Sequence, residues 1–184
     1  MPLGNNKFIN NLILNYSPIP FHKREYDVFF AGFIHPTRIK FAQCLERLKC
    51  KKYIHYTKAN NLQNFQNSLN PSQYLDILRN SKVVMAPIGA HHCTSYRYFE
   101  SIYFGNIVFT QKLEDQKIFH DLQFKNQYII KDWESITDLT INEAIKNYDE
   151  DECVKNHKLY FSKHSVISLI INKINSQIET SNTK

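Results

Sequence analysis

Apolar and polar positions along the chain keep two rhythms. Asp27-Val-Phe-Phe-Ala-Gly-Phe-Ile34 is apolar at nearly every position, which predicts a strand buried on both faces, ending at His35-Pro36. From Thr37 the apolar residues Ile39, Phe41, Ala42, Leu45 and Leu48 recur at helical spacing, with Arg and Lys between them. The cycle then repeats. Lys52–Thr57 reads as a strand, and Ser72–Arg79 as a helix entered through Asn70-Pro71, where proline suits a first turn. Lys82–Ile88 reads as a third strand, Ser95–Phe104 as a third helix and Asn106–Thr110 as a fourth strand. Gly105 stands where a glycine closing that helix would stand. Tyr128–Lys131 is a fifth strand, followed by a helix from Trp133 to Tyr148.

Strands alternating with helices through short connections predict right-handed β-α-β crossovers. The fold class is therefore α/β: a Rossmann-like, doubly wound parallel sheet spanning residues 26–148. Residues 1–25 contain Asn5-Asn-Lys7 and Ser17-Pro-Ile-Pro20 and read as an irregular lead-in. Residues 149–178 carry Leu159, Val166, Leu169, Ile170, Ile174 and Ile178 at helical spacing, which predicts C-terminal helices packing back on the sheet. Residues 179–184 form a polar tail.

Composition narrows the class. A hydrophobic fraction of 42% over 184 residues supports one packed domain rather than a disordered chain. The formal net charge of +6 favours anionic partners without ranking them. Cys44, Cys50, Cys93 and Cys153 form no C-x-x-C pair and no signal-peptide pattern precedes them, which suits reduced thiols and a cytoplasmic protein, or one peripheral at a membrane. No apolar run reaches the roughly 20 residues of a transmembrane helix.

The chemistry concentrates between the third strand and third helix, in Met85-Ala-Pro-Ile-Gly-Ala-His-His-Cys-Thr-Ser-Tyr-Arg-Tyr-Phe-Glu100. Open α/β sheets bind ligands beyond the carboxyl ends of their strands, which is where this stretch falls. Gly89 and Ala90 let backbone approach a ligand, and Thr94 or Ser95 can cap the helix. The free N–H groups and dipole at a helix start favour phosphate. Arg97 and Glu100, three residues apart, share a helix face. A forked cation suits phosphate and an ionised carboxylate suits a pair of sugar hydroxyls, so together they describe a phosphorylated ribose site; a plain Arg–Glu surface salt bridge is the alternative.

Three fragments carry a resemblance: Tyr74-Leu-Asp-Ile-Leu-Arg-Asn-Ser-Lys-Val-Val-Met-Ala-Pro-Ile-Gly89, Ser95-Tyr-Arg-Tyr-Phe-Glu100 and Phe104-Gly-Asn-Ile-Val-Phe109. In this order they resemble the donor-binding half of GT-B glycosyltransferases, of the exostosin-like, CgeB-like and family 1 types. Tyr26-Asp-Val-Phe-Phe-Ala-Gly32, followed by Arg38, is similar to the first strand and loop of that half. The likeness runs by motif from Pro18 to Thr110. It implies a nucleotide-sugar-binding domain of a hexosyltransferase-type enzyme, using a UDP- or GDP-sugar and a glycan, lipid or protein acceptor, with no metal or other cofactor required. Glu100 would bond the ribose hydroxyls, Arg97, Ser95 and Thr94 would lie by the diphosphate, and Gly32 and Arg38 would line the near side of the cleft. Gly89, His91 and His92 would face the transferred sugar.

Two departures bear on catalysis. Retaining members carry an acid eight residues before the ribose glutamate, where this chain has His92. A complete GT-B enzyme also has an N-terminal half holding the acceptor, and Met1-Pro-Leu-Gly4 resembles the segment crossing between halves. The expectation is a second half acting with a separate N-terminal partner, or a non-catalytic Rossmann-like module that binds a nucleotide or a protein.

Other features read more plainly. His91-His92-Cys93 offers metal-ligand types, but adjacent residues rarely share one ion, so no metal site is expected. Cys93 has no recognisable partner as a nucleophile. Trp133 reads as a packing residue. Lys51–Lys58 interleaves aromatics with lysines, yet reads better as a strand than as a nucleic-acid surface.

Overall fold

A computed structural model of the protein describes residues 16–61, 64–88, 95–111, 125–153 and 155. The element order is β1 (Tyr26–Phe33), α1 (Ile39–Arg47), β2 (Lys52–Asn61), β3 (Asn64–Gln66), α2 (Pro71–Arg79), β4 (Ser81–Ala86), α3 (Tyr96–Tyr103), β5 (Ile107–Thr110), β6 (Gln127–Ile129) and α4 (Asp138–Lys146). The strands lie in the order β3-β2-β1-β4-β5-β6. All neighbours pair parallel except β2 and β3, which form an antiparallel hairpin at the sheet edge.

Alternate residues of β1 divide the core, because successive side chains of a strand point to opposite faces. Val28 and Phe30 join Phe41 and Leu45 of α1, Trp133, and Ile141 and Ala144 of α4 on one face. Phe29 and Ala31 join Leu75 and Leu78 of α2 and Tyr103 and Phe104 beside α3 on the other. Helices therefore cover both faces of a five-stranded parallel sheet, as a doubly wound Rossmann-like fold requires. The chain leaves β1 toward β2 on one side and returns through α2 to β4 on the other. The crevice where the order reverses lies between the carboxyl ends of β1 and β4.

Two predicted elements change on inspection. The strand expected to stop at Thr57 continues to Asn61 and turns back through β3. An edge ladder is held by main-chain hydrogen bonds and needs no apolar run, so polar residues concealed it. The single helix expected over Trp133–Tyr148 is divided. Asp132 accepts from the Glu134 N–H to start a 3-10 turn over Trp133–Ser135, and Thr137 then caps α4 in a reciprocal box with Thr140. That box uses threonine where glutamate or glutamine is the familiar partner, and so passes unnoticed in sequence. Trp133 is buried edge-on against Phe41, the packing role expected of it.

Residues 16–25 pack on the same core, with Tyr16 against one face and Phe21 against the other. Arg24 is the fixed point of this segment. It is 5% exposed, and its guanidinium donates to the carbonyls of Ile19, Ser81, Phe104 and Gly105 at 2.6–3.1 Å. Residues 150–153 are helical; of the expected C-terminal helices, 154 and 156–178 lie outside the described residues. Among the described residues no helix is long and apolar enough to cross a membrane.

Candidate functional site

The site is built on α3, whose two ends are finished differently. At its C-terminus Gly105 adopts φ +66°, and the Asn106 and Gly105 N–H groups donate back to Ser101 and Ile102, a Schellman closure. Arg24 then takes the carbonyls of Phe104 and Gly105. At its N-terminus Ser95 holds the cap position, but its side chain makes no cap hydrogen bond, and its Oγ is buried without a partner. The side-chain cap anticipated from Thr94 or Ser95 is thus not supplied by Ser95, and Thr94 lies outside the described residues. The positive end of α3 faces the crevice without that neutralising bond.

Arg97, in the first turn of α3, reaches across the sheet end. Its Nη2 donates to the carbonyl of Ala31 in β1, and its guanidinium lies 4.7 Å from the centroid of the Phe30 ring. Nε is buried with no hydrogen-bond partner. Gly32 makes this crossing possible: a Cβ built there would fall 2.8 Å from Arg97 Nη2. Gly32 was expected to line the near side of the cleft, and in the structure its missing side chain leaves room there for Arg97.

Arg38 closes the crevice from the other loop. It donates to the carbonyl of Phe33 at 3.3 Å and to that of Ile88, joining the chain leaving β1 to the chain leaving β4. Both arginines are thereby fixed by main-chain acceptors at strand ends, and two positive charges stand at the point where the strand order reverses.

Glu100 lies one turn along α3 and is only 8% exposed. It does not pair with Arg97: among the described residues the ion pairs include no Arg97–Glu100 contact. The simple surface salt bridge is therefore not what forms. Instead Glu100 Oε2 accepts a 2.6 Å hydrogen bond from the hydroxyl of Tyr74 on α2. Burial raises the Glu100 pKa, while the Tyr74 hydrogen bond and the charge of Arg97 oppose that rise. Burial and the adjacent carboxylate push the Tyr74 phenol well above its usual range, so it stays a neutral donor.

The structure thus brings Gly32, Arg38, Ser95, Arg97 and Glu100 to one end of the sheet. Gly89, His91, His92 and Thr94 lie outside the described residues, as does Cys93. Among the described residues no cluster of three or more His, Cys, Asp or Glu side chains could hold a metal ion. Sequence reading gave Tyr74 no role of its own, because its partner is 26 residues away on another helix. Arg24 was missed for the same reason.

A cavity of about 340 Å³ lies at the opposite end of the sheet, lined by Ile19, Phe21, Arg24, Phe104, Gly105 and Tyr148 among others. Two of its polar side chains are already engaged. Arg24 holds four carbonyls, and the Tyr148 hydroxyl donates to Gly105 at 3.1 Å. The crevice at β1 and β4 instead holds two buried polar atoms without a hydrogen-bond partner, Ser95 Oγ and Arg97 Nε.

The chain matches no protein-family model and no curated protein.

Proposed function

We propose that the chain is a nucleotide-sugar-binding domain of a glycosyltransferase, taking a UDP- or GDP-sugar at the crevice between β1 and β4. One observation carries the reading: two carbonyl-anchored arginines, an unused Ser95 hydroxyl and a buried Glu100 carboxylate gather at the topological switch point. Phosphate is the ligand suited to a helix start flanked by Arg97 and Arg38. A hydroxyl-bearing sugar suits a carboxylate with one oxygen already held. The order of the motifs from Pro18 to Thr110, which resembles the GT-B donor half, supplies the reaction class.

In that reading the site residues stabilise the diphosphate as negative charge grows on it during sugar transfer. The acceptor is a glycan, lipid or protein, engaged together with an N-terminal half. A module that binds the nucleotide without turnover would share these contacts, and transfer of the donor sugar separates the two. The direct test is calorimetric titration of UDP, GDP and their sugars into the parent, Arg97→Ala and Glu100→Ala. The expected result is binding by the parent and losses of about tenfold or more in each variant. No binding, or binding indifferent to both substitutions, contradicts the reading.

A further inference from the structure

Glu100 is an unusual group for its position. A carboxylate that only filled space between α2 and α3 would face a desolvation cost that an amide or apolar side chain avoids. Tyr74 offsets part of that cost in a directed way. Its ring stands edge-on to Phe29 in β1, with centroids 5.6 Å apart, so the phenol is braced by the sheet. Its hydroxyl reaches Oε2 at 2.6 Å, the one side-chain hydrogen bond of the carboxylate among the described residues.

We propose that Tyr74 is the positioning residue of the site, holding Glu100 by Oε2 so that Oε1 is aimed to accept a ribose hydroxyl of the bound nucleotide. The proposal rests on the nucleotide reading above and adds a specificity device to it. One bond from a rigid phenol removes rotation about the terminal torsion of the glutamate, which is otherwise broad. The hydroxyl contact then forms without a fresh ordering cost, and a nucleotide lacking ribose hydroxyls would cover that acceptor without satisfying it. The same bond favours the ionised form of the carboxylate. Two groups oppose the effect of burial on Glu100: Tyr74 from α2 and Arg97 from its own helix. Without the Tyr74 hydroxyl only Arg97 remains, and Glu100 takes up a proton at a higher pH, losing acceptor capacity.

The test compares parent and Tyr74→Phe, which keeps the ring against Phe29, with UDP and GDP and their 2′,3′-dideoxy counterparts from neutral to mildly acidic pH. The parent is expected to prefer the ribonucleotide. Tyr74→Phe should weaken ribonucleotide binding by about tenfold while leaving dideoxynucleotide binding nearly unchanged. Its remaining ribonucleotide affinity should fall away at a higher pH than the parent's. Glu100→Gln, which preserves an acceptor for Tyr74, should keep only the pH dependence that the terminal phosphate of the ligand brings, the same for ribonucleotide and dideoxynucleotide. A merely structural tyrosine would weaken both nucleotides alike and leave the pH midpoint in place. If the parent binds with ribose preference and Tyr74→Phe retains it, the positioning role is overturned and the nucleotide site stands. If the parent binds no nucleotide, the site reading and this role fall together.

Discussion

The two ends of α3 present the same residue type in opposite states. At the C-terminus Arg24 is enclosed and its donors are spent on four carbonyls. At the N-terminus Arg97 holds one carbonyl, rests on Phe30 and keeps a buried Nε without a partner. Burial of an arginine costs most when its donors are unmet, so the first arrangement is what stability alone favours. The second leaves capacity unused at the place where α/β sheets bind ligands, the capacity that the proposed nucleotide site would draw on.

Breaking the closed end should have the largest effect. Arg24→Met retains much of the buried stem but strands carbonyls from the lead-in, β4 and the end of α3. A loss of about 3 kcal/mol or more is expected, read as a shift of the urea midpoint. Equal stability would mean that the carbonyl cage contributes little.

Gly32→Ala sharpens the contrast from the open end. The new methyl would meet the far end of a flexible side chain, and at φ +156° any side chain also strains the backbone, so the cost in stability should be about 2 kcal/mol, while Arg97 must leave its seat on Ala31. Nucleotide affinity should fall several-fold, and combining Gly32→Ala with Arg97→Ala should add little further loss. Full additivity in that cycle would show that Gly32 does not act through Arg97.

The smallest effect concerns Glu100 and is opposite in sign. Because burial raises its pKa in the folded state, protonation favours folding below the ordinary value of 4.5, and that contribution is lost as pH rises through the folded value. Glu100→Gln should therefore melt above the parent at neutral pH, with the advantage vanishing in acid. A variant less stable than the parent at neutral pH would show instead that the ionised carboxylate holds the fold together.

The sequence made the architecture legible where side chains report burial. The doubly buried run of β1, the helical spacing of α1 and the glycine closing α3 each place an element within a few residues. It concealed what main-chain bonding decides: the β2–β3 hairpin and the cap at Thr137 that divides the Trp133–Tyr148 helix. At the site, the spacing of Arg97 and Glu100 was visible, but their partners were not. Spacing says that both lie on one helical face; only the packing of α2 and β1 against α3 turns one toward Tyr74 and the other toward Ala31.

Amide chemical-shift mapping during titration with UDP or GDP tests the central claim most directly, since both ends of α3 are read at once. The account predicts shifts concentrated at Ala31, Gly32, Ser95, Tyr96 and Arg97, with Arg24, Gly105 and Asn106 nearly unmoved. Shifts centred on Arg24 and the cavity beside it, or none at either end, would contradict it.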